Sequence, residues 1–418
     1  MPDRGGNARG PGSAGETVVL ETLRPAAGGA SVAVLDGIVH FVRGALPGET
    51  VEARVTGGGK RHRFAEVSRV LSPSPRRVSP PCPYYGACGG CRLQHAEYPF
   101  QVAMKEAVLR DALARIGRVE CGAIGTIPSD PYGYRARGTF RLGAEGVAFL
   151  REGSHETIPV ERCLLMEEGI NRVLPALRGL LGEPGADEVR ILSNGEEASI
   201  AFRERRFDDG VADRLREAGF SGARFADRDW GKPRLSFPVG KLRIEASPSA
   251  FLQSNRRVNE ALVGKVAALC ADGGGSRVLD LYAGGGNFAL PVAAAGCDVV
   301  AVEGDDASFR DLQANLEGNG LSGRCRAVRS PVERFRPSGR FDLLLLDPPR
   351  AGLGPVARAL VERIGAPRIA YVSCDPATLA RDLAALSGRY RVDSVTMADF
   401  FPQTHHVEAL AALSARGR

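Results

Sequence analysis

The segment Val278–Phe288, with the sequence VLDLYAGGGNF, decides the fold of this chain of 418 residues. Its first residues are apolar and β-type, and the glycines Gly284–Gly286 allow a tight turn that directs backbone N–H groups at a ligand. A helix, Phe288–Ala295, is predicted directly after the turn, and the next strand, Val299–Val302, ends at Glu303. An acid at that position can accept hydrogen bonds from both ribose hydroxyls of a nucleotide-like cofactor. These features together predict the first half of a nucleotide-binding sheet.

The same alternation of strands and helices continues on either side of this segment. Because strands and helices alternate at short spacing, we predict an α/β fold with a doubly wound parallel sheet over residues 248–418. Ligands of such sheets bind at the carboxyl ends of the strands, so functional side chains are expected there. Gly284-x-Gly286-x-x-Ala289 also fits the dinucleotide fingerprint, which leaves a nicotinamide enzyme open. The remaining predicted elements are helix Asn255–Ala271, strand Arg277–Leu281, helix Ala307–Asn319, strand Leu343–Leu346 and strand Ile369–Val372.

The N-terminal part of the chain shows a different pattern. Five short β-type runs separated by glycine turns fill residues 16–72 and predict a small β-barrel of the oligonucleotide-binding kind, or equally a β-meander. A basic cluster, Lys60–Arg63, lies in a glycine-rich loop between two of these runs. A Pro/Ser/Arg linker then leads into a central α+β domain over residues 73–247. Its predicted helices are Pro99–Ile116, within a segment 96–118 that we expect to pack on the catalytic domain, Ile170–Leu181 and Asp208–Ala218.

The overall composition is that of an ordinary globular protein. Hydrophobic residues make up 44% and charged residues 25% of the sequence, which excludes a largely disordered chain. No apolar run approaches the roughly 18 residues that a membrane helix needs. Met1–Gly15 has no apolar core that would indicate a secretory signal, and it is expected to form a disordered tail. The formal charge of +6 is compatible with a nucleic-acid partner but does not establish one.

The cysteines indicate a reducing compartment and a metal site. Nine cysteines in a long chain without a secretory signal favour the cytoplasm over a disulfide framework. Cys82, Cys88 and Cys91 fall within ten residues of one loop rich in Pro and Gly, which is typical of a metal or cluster site. A fourth ligand is required, and Cys121 and Cys163 are both candidates. Spacing alone allows zinc and an iron–sulfur cluster equally.

Two strand ends carry reactive side chains. Asp347 directly follows Leu343–Leu346 and precedes two prolines that stiffen the chain. Cys374 follows the next predicted strand and precedes Asp375 and Pro376, which are a good N-cap and a good first helical residue. The partial positive charge of that helix N-terminus is expected to lower the pKa of the Cys374 thiol. We therefore predict a nucleophilic cysteine.

A carboxylate near the C-terminus completes the candidate reacting groups. Glu408 lies inside the apolar run Val407–Leu410, where partial loss of hydration would raise its pKa toward the range of a general base. The competing interpretation is a strand glutamate that faces solvent.

Three segments resemble the signature sequences of the RNA uracil carbon-5 methyltransferases: Leu346–Gly352, Ser373–Leu383 and His406–Glu408. The resemblance covers nearly the whole chain and implies a Rossmann-like methyltransferase domain that uses S-adenosylmethionine. It also implies that the first unit is a TRAM domain, an RNA-binding β-barrel. Two residues depart from the family pattern, since Ala283 stands where Cys is common and Tyr282 where Phe is common.

The resemblance also implies the roles of individual residues. Cys374 would be the nucleophile that adds to carbon 6 of uracil, and Glu408 would be the base that removes the proton from carbon 5. Cys163 would be the fourth ligand of a [4Fe–4S] cluster with Cys82, Cys88 and Cys91. The residues implied to contact S-adenosylmethionine are Gln253, Tyr282, Asn287, Glu303 and Asp347.

A barrel together with a cluster resembles the family members that act on ribosomal RNA more than those that act on transfer RNA. We therefore expect RNA of the large ribosomal subunit, 23S rRNA, as substrate, and a monomer as the default state. Two alternatives stay open besides transfer RNA. One is a cytosine carbon-5 methyltransferase, which would use similar addition chemistry, and the other is an RNA-binding protein without catalytic activity.

Overall fold

The computed structural model describes residues 15–143, 146–178, 188–271 and 276–417. The predicted tail 1–15 therefore lies, except for Gly15, outside the described residues. The chain divides into two compact units, each described here by itself. The first comprises residues 1–86, 90–108 and 402–406, and the second comprises residues 87–89, 109–401 and 407–418.

The first unit contains a closed barrel of five strands in the order β1-β2-β3-β5-β4, with β1 also paired to β4. Side chains of β1 alternate between solvent and the interior, as expected for a strand with one face on a core. Val42, Val51 and Ala65 are among the residues that fill the interior. The predicted barrel is confirmed over the meander. Its strands are β1 Thr17–Ala26, β2 Ala30–Leu35, β3 Ile38–Arg43, β4 Thr50–Gly58 and β5 His62–Ser72.

A reciprocal amide contact holds the C-terminal segment 402–406 within the first unit. The Gln101 side chain, which is fully buried, donates to Gln403 Oε1 at 2.9 Å and accepts from the Gln403 backbone N–H at 2.9 Å. The Gln403 carbonyl accepts from the amides of Arg92 and Leu93. These bonds satisfy Gln403 in a left-handed conformation, φ +68°, that non-glycine residues rarely adopt.

The second unit begins with a seven-stranded sheet in the order β13-β12-β11-β10-β7-β8-β9. Its apolar core includes Phe140, Ile191 and Leu215. The predicted helix Asp208–Ala218 is confirmed, because Asp208 caps it by accepting from the Val211 N–H. The predicted helix Ile170–Leu181 is shorter in the structure, and residues 179–181 lie outside the described part. The elements are β7 Arg137–Gly143, β8 Gly146–Leu150, β9 Thr157–Pro159, α2 Glu168–Val173, β10 Glu188–Ser193, β11 Ala198–Phe202, α3 Asp209–Glu217, β12 Gly222–Arg224 and β13 Asp229–Gly231.

An eight-stranded sheet forms another part of the second unit, in the order β18-β17-β16-β19-β20-β22-β21-β6. Strands β16 to β20 are parallel to one another, and β22 runs antiparallel to both β20 and β21. The α/β prediction is confirmed. The elements are β6 Gly125–Ile127, α4 Arg256–Ala271, β16 Arg277–Leu281, α5 Ala289–Ala294, β17 Asp298–Glu303, α6 Asp306–Gly318, β18 Cys325–Arg329, β19 Leu343–Leu346, α7 Pro355–Ile364, β20 Arg368–Ser373, α8 Pro376–Leu386, β21 Tyr390–Ala398 and β22 Glu408–Ala415.

Two further elements complete the description. Helix α1 spans Tyr98–Ala112 and continues into a π-helical turn, Leu113–Gly117. A hairpin pairs β14 Leu235–Val239 with β15 Leu242–Ala246. Within the described ranges, no helix is both long enough and apolar enough to cross a membrane.

Candidate active site

The glycine turn after β16 is braced by the acid that ends β17. Gly284 N–H donates to Glu303 Oε2 at 2.8 Å, and Asp305 N–H donates to Glu303 Oε1 at 2.6 Å. Each carboxylate oxygen keeps a second lone pair for a ligand hydroxyl. No other heavy atom lies within 4 Å of the place where a Cβ of Gly284 would stand, so this part of the turn borders open space. The structure therefore brings the turn and Glu303 together, as the sequence predicts.

Asn287, at the end of the turn, is held by a residue that the sequence analysis did not single out. Asn259 on α4 donates to Asn287 Oδ1 at 2.7 Å, and Asn287 Nδ2 donates to Asn259 Oδ1 at 3.0 Å. This reciprocal pair fixes the orientation of both amides. Gln253, which precedes α4, is buried with 7% of its surface exposed. An asparagine inside a helix is the one signal that could have pointed to Asn259, because this residue is a weak helix former.

Carboxyl groups concentrate under and beside the turn. Asp347 directly follows β19, and burial of its carboxyl raises its pKa to about 7. Asp280 lies in the middle of β16 with 1% of its surface exposed. Burial raises the Asp280 pKa well above its ordinary value, and the charges of Asp347 and Glu303 raise it further. The sequence analysis gave Asp280 no role, although an acid inside an apolar strand was a visible signal.

Cys374 follows β20, and its environment contradicts one sequence-based expectation. Asp375 caps α8 as predicted, because its Oδ1 accepts from the N–H groups of Ala377 and Thr378. The pKa of the Cys374 thiol is nevertheless raised to about 11 rather than lowered. Burial is the main cause, and the nearby charges of Glu408 and Asp347 act in the same direction. These effects outweigh the opposing charge of Arg350.

Glu408 begins β22 and is buried, with 6% of its surface exposed. This burial contradicts the interpretation of Glu408 as a glutamate that faces solvent. Strand pairing places Ser373 opposite Ala409, so Cys374 directly follows and Glu408 directly precedes the last pair of the two strands. Residues directly opposite on antiparallel strands have Cα atoms about 4.5–5.5 Å apart. Cys374 and Glu408 are therefore close in space, and the charge of Glu408 raises the pKa of the Cys374 thiol.

These side chains all lie at one edge of the eight-stranded sheet. Tyr282, Glu303, Asp347 and Cys374 stand at the carboxyl ends of parallel strands, and Glu408 stands at the start of a strand that runs the opposite way. Tyr282 adopts φ +67°, a strained conformation for a tyrosine that persists because the turn requires it. The edge thus combines an open glycine turn, a thiol and several carboxyl groups, which suits transfer of a group from a nucleotide-like donor to an acceptor that a thiolate first activates.

The four cysteines of the predicted cluster belong to loops. Cys163 exchanges backbone hydrogen bonds with the Asn171 side chain, and Cys88 pairs with Arg151 through an isolated β-bridge. Cys82 N–H donates to Gln94 Oε1 at 3.3 Å. Across residues 15–143, 146–178, 188–271 and 276–417, no three His, Cys, Asp or Glu side chains are grouped closely enough to hold a metal ion. The donor chemistry of four thiolates fits an iron–sulfur cluster.

Comparison with known proteins gives a consistent result. Residues 225–416 match the family model described as tRNA (Uracil-5-)-methyltransferase. The 23S rRNA (uracil(1939)-C(5))-methyltransferase RlmD of Acidithiobacillus ferrooxidans is 33% identical to this chain, and the alignment covers 95% of this chain and 96% of the relative. The protein of the same name from Pseudomonas putida is 35% identical over 98% of this chain and 96% of its own length.

A solved structure is similar over most of the chain. The tRNA (uracil-54, C5)-methyltransferase of Pyrococcus abyssi, in complex with S-adenosyl-L-homocysteine, superposes with a TM-score of 0.78 at 25% sequence identity. The match covers 95% of this chain and 99% of the archaeal one.

Proposed function

The chain belongs to the RNA uracil carbon-5 methyltransferases, S-adenosylmethionine-dependent enzymes, and on that premise we propose that Cys374 and Glu408 methylate carbon 5 of uridine in 23S rRNA. The observation that supports this proposal is the pairing of β20 with β22 up to Ser373 and Ala409, since Cys374 directly follows and Glu408 directly precedes this last pair. A nicotinamide enzyme would require neither group at this place.

The reaction divides between the two side chains. Carbon 5 of uracil is a weak nucleophile. Addition of the Cys374 thiolate to carbon 6 converts the ring into an enolate, in which carbon 5 is strongly nucleophilic. Carbon 5 then takes the methyl group from the sulfonium, whose carbon–sulfur bond breaks. Glu408 removes the remaining proton from carbon 5, and the carbon 6–sulfur bond breaks to restore the thiolate. A base within folded RNA must leave its stack to reach the two groups.

The methyl donor is held by the residues around the turn. We assign Glu303 to the ribose hydroxyls, because its oxygens already face the turn and keep spare lone pairs. Asn287, fixed by Asn259, and the buried Gln253 supply amide groups, and Tyr282 supplies an aromatic surface. Asp347 supplies a carboxyl group that bonds either the donor's amine or the uracil.

Two substitutions separate the roles of nucleophile and base. With Cys374→Ala, we expect methylation to fall below detection while RNA binding persists. With Glu408→Gln, methyl transfer can still occur but the adduct cannot eliminate, so a protein–RNA complex that survives denaturing gel electrophoresis should accumulate when S-adenosylmethionine is present. Turnover by Cys374→Ala, or Glu408→Gln that neither turns over nor traps RNA, would refute the assignment.

Ribosomal RNA is the substrate we propose, because the relatives at 33% and 35% identity are named for it and align along nearly the whole chain. The archaeal structure is named for transfer RNA, which makes transfer RNA the competing substrate. Labelled methyl transfer to 23S rRNA and to transfer RNA, followed by nucleoside analysis, distinguishes the two. Label in 5-methylcytidine would instead indicate cytosine chemistry.

We also propose a division of labour along the chain. The barrel over residues 16–72 serves as a TRAM domain that binds RNA, the segment 73–247 helps to present it, and residues 248–418 carry out catalysis. An exposed aromatic face on the barrel supports the first part, since Phe41 stacks on Phe64 with ring centroids 5.8 Å apart and His62 packs edge-on against Phe64. We place the enzyme in the cytoplasm as a monomer.

The cysteines Cys82, Cys88, Cys91 and Cys163 are proposed to bind a [4Fe–4S] cluster. The spacing of the first three supports a metal site of either zinc or iron, and the family resemblance supports Cys163 as the fourth ligand and the cluster as the metal group. The reaction transfers no electrons, so the cluster would have a structural role or position RNA. Protein purified without oxygen should contain about four irons and absorb near 400 nm. Cys163→Ser should lose most of the iron, while the matched variant Cys121→Ser should keep it. Zinc instead of iron, or equal loss in both variants, would refute the cluster.

A further inference from the structure

A buried aspartate lies behind the nucleophile and outside the reaction described above. Asp382 is on α8, eight residues after Cys374, and none of its surface is exposed. Aspartate is a weak former of helix interiors, and burial of a carboxylate is costly unless it is fully hydrogen-bonded. An apolar side chain would serve packing better at this position. The partners of Asp382 therefore indicate what it does.

Those partners connect two strand ends of the active site. Asp382 Oδ2 accepts from the Tyr371 hydroxyl at 2.7 Å and from the Leu353 backbone N–H at 2.7 Å. Tyr371 is on β20, three residues before Cys374, whereas Leu353 ends the segment Asp347–Leu353 that follows β19. One carboxylate oxygen thus joins the strand of the nucleophile to the segment that begins with Asp347.

The second oxygen strengthens the same connection. Asp382 Oδ1 accepts from Arg381 Nε at 3.0 Å and Nη2 at 2.9 Å, and Arg381 Nη2 also donates to the Ala351 carbonyl at 2.8 Å. Gly352 lies between these two attachment points at φ +71°, and a Cβ there would overlap Asp382 Oδ2 and lie 2.7 Å from Arg381 Nη2. The segment is therefore pressed directly against the α8 carboxylate.

The fastened segment carries a cation that acts on the nucleophile. Arg350 lies one residue before the first attachment point, and its charge opposes the effects that raise the pKa of the Cys374 thiol. The charged groups that act on this thiol are Arg350, Glu408 and Asp347. Asp347 directly follows β19 and its N–H donates to the Leu281 carbonyl, so release of the segment at residues 351–353 would displace Arg350 rather than Asp347.

We propose that Asp382 is a positioning residue that fastens the segment Asp347–Leu353 to α8 and thereby holds Arg350 where its charge acts on Cys374. This inference rests on the proposed function only because that function makes Cys374 the nucleophile. The hydrogen bonds themselves predict a measurable effect on the thiol in the absence of RNA and methyl donor.

The test measures alkylation of Cys374 by iodoacetamide between pH 7 and pH 10.5, followed by mass spectrometry of the tryptic peptide 369–381. In Asp382→Asn, one acceptor oxygen is replaced by an amide NH2 group that cannot accept, so either the Leu353 N–H or Arg381 loses its acceptor and the segment should move away from α8. We expect the alkylation rate at pH 9 to fall about three- to tenfold, because Arg350 no longer favours the thiolate. The matched control Tyr371→Phe removes one bond to the same carboxylate and leaves the segment attached, so its alkylation rate should equal that of the wild type.

Arg381→Gln keeps the proposal testable if Asp382→Asn does not fold, because Arg381 is half-exposed and its loss removes only the bond to Ala351 and the pair with Asp382. Since this variant lacks the cleavage site at Arg381, its tryptic peptide with Cys374 is 369–389. We expect the same direction of change with a smaller size. An unchanged alkylation profile in both folded variants, or an equal decrease in Tyr371→Phe, would overturn the positioning role. Because neither RNA nor methyl donor is present, this result is independent of whether the protein methylates uridine.

Discussion

At the scale of single residues, the surroundings of Cys374 hold it as a neutral thiol. With a pKa of about 11, on the order of one thiol in a thousand is ionised at pH 8. The cationic sulfonium of the methyl donor, bound at the adjacent turn, would favour the thiolate. Because only the thiolate reacts readily, we expect slow alkylation of Cys374 at pH 8 in the protein without donor.

Removal of one neighbouring charge should make this thiol more reactive. We expect Glu408→Gln to lower the pKa of Cys374 and to increase its alkylation rate at pH 8 several-fold, because a carboxylate that opposes ionisation is gone. The measurement is iodoacetamide labelling of Cys374 across a pH series. Glu260→Gln, which removes an exposed carboxylate on α4, is the control and should change nothing. An unchanged rate in Glu408→Gln would contradict the electrostatic explanation.

Asp347 should make the stability of the fold depend on pH. Its pKa is about 7 in the folded protein against 3.8 ordinarily, so the folded state prefers the protonated form. Stability is therefore lost as the pH rises from about 4 to about 7, and the loss is complete above 7. We expect Asp347→Asn to melt several degrees above the wild type at pH 8 and nearly equal to it at pH 4.5.

The control for this comparison is Asp298→Asn, which changes an exposed aspartate at the start of β17 and should leave the melting temperature unchanged at both pH values. Asp347→Asn should also lose methyl transfer, because it replaces the carboxyl group proposed to bond the donor's amine or the uracil. A gain in stability at the expense of activity is common at functional sites. A lower melting temperature than the wild type at pH 8 would show that Asp347 is ionised and satisfied in the folded protein.

At the scale of elements, the glycine turn fixes how closely β16 approaches α5. Gly286 has φ +94°, and a Cβ there would overlap the Leu290 side chain and lie 2.9 Å from Leu312 Cδ1. Gly286→Ala should therefore bind S-adenosylmethionine at least tenfold more weakly and lower the melting temperature. Isothermal titration and thermal unfolding measure the two effects.

The matched control is a glycine in a helix. Gly264 lies on α4, and no atom stands within 4 Å of its added Cβ. Gly264→Ala should stabilise the fold by about 0.5–1 kcal/mol, because alanine loses less backbone entropy. Equal affinity for S-adenosylmethionine in Gly286→Ala and the wild type would show that the turn tolerates a side chain at residue 286.

The elements also show what the sequence could predict. Arg277–Leu281 and Leu343–Leu346 coincide with β16 and β19, because buried parallel strands are short, continuous apolar runs. Strand β18, Cys325–Arg329, was missed because two of its five residues are arginines and it lies at the edge of the sheet. The sign of the Cys374 pKa shift was wrong for a related reason. Local sequence shows the α8 N-terminus, whereas Glu408 comes from a strand that only the fold brings near.

At the scale of the whole molecule, affinity for RNA should have an electrostatic part and a stacking part. A formal charge of +6 and the basic cluster Lys60–Arg63, of which Lys60 and Arg61 are exposed, favour phosphate contacts, which weaken as salt rises. Phe64 is 50% exposed on the barrel and provides a ring on which an unpaired base can stack. The two contributions to the affinity can be separated by its salt dependence. Phosphate contacts release counterions and so weaken as salt rises, whereas base stacking releases none.

We expect Phe64→Ala to weaken the binding of single-stranded RNA about tenfold at both 50 mM and 200 mM salt, with an unchanged slope of log affinity against log salt. The double variant Lys60→Gln with Arg61→Gln should instead make the slope shallower. Phe64→Tyr should bind as the wild type does because the ring is kept, and Leu71→Ala, an exposed apolar residue at 42% on the same strand, should have no effect. Fluorescence anisotropy with a labelled oligonucleotide gives all four values. A Phe64→Ala variant that binds as tightly as Leu71→Ala would exclude base stacking on the barrel and leave phosphate contacts to account for its affinity.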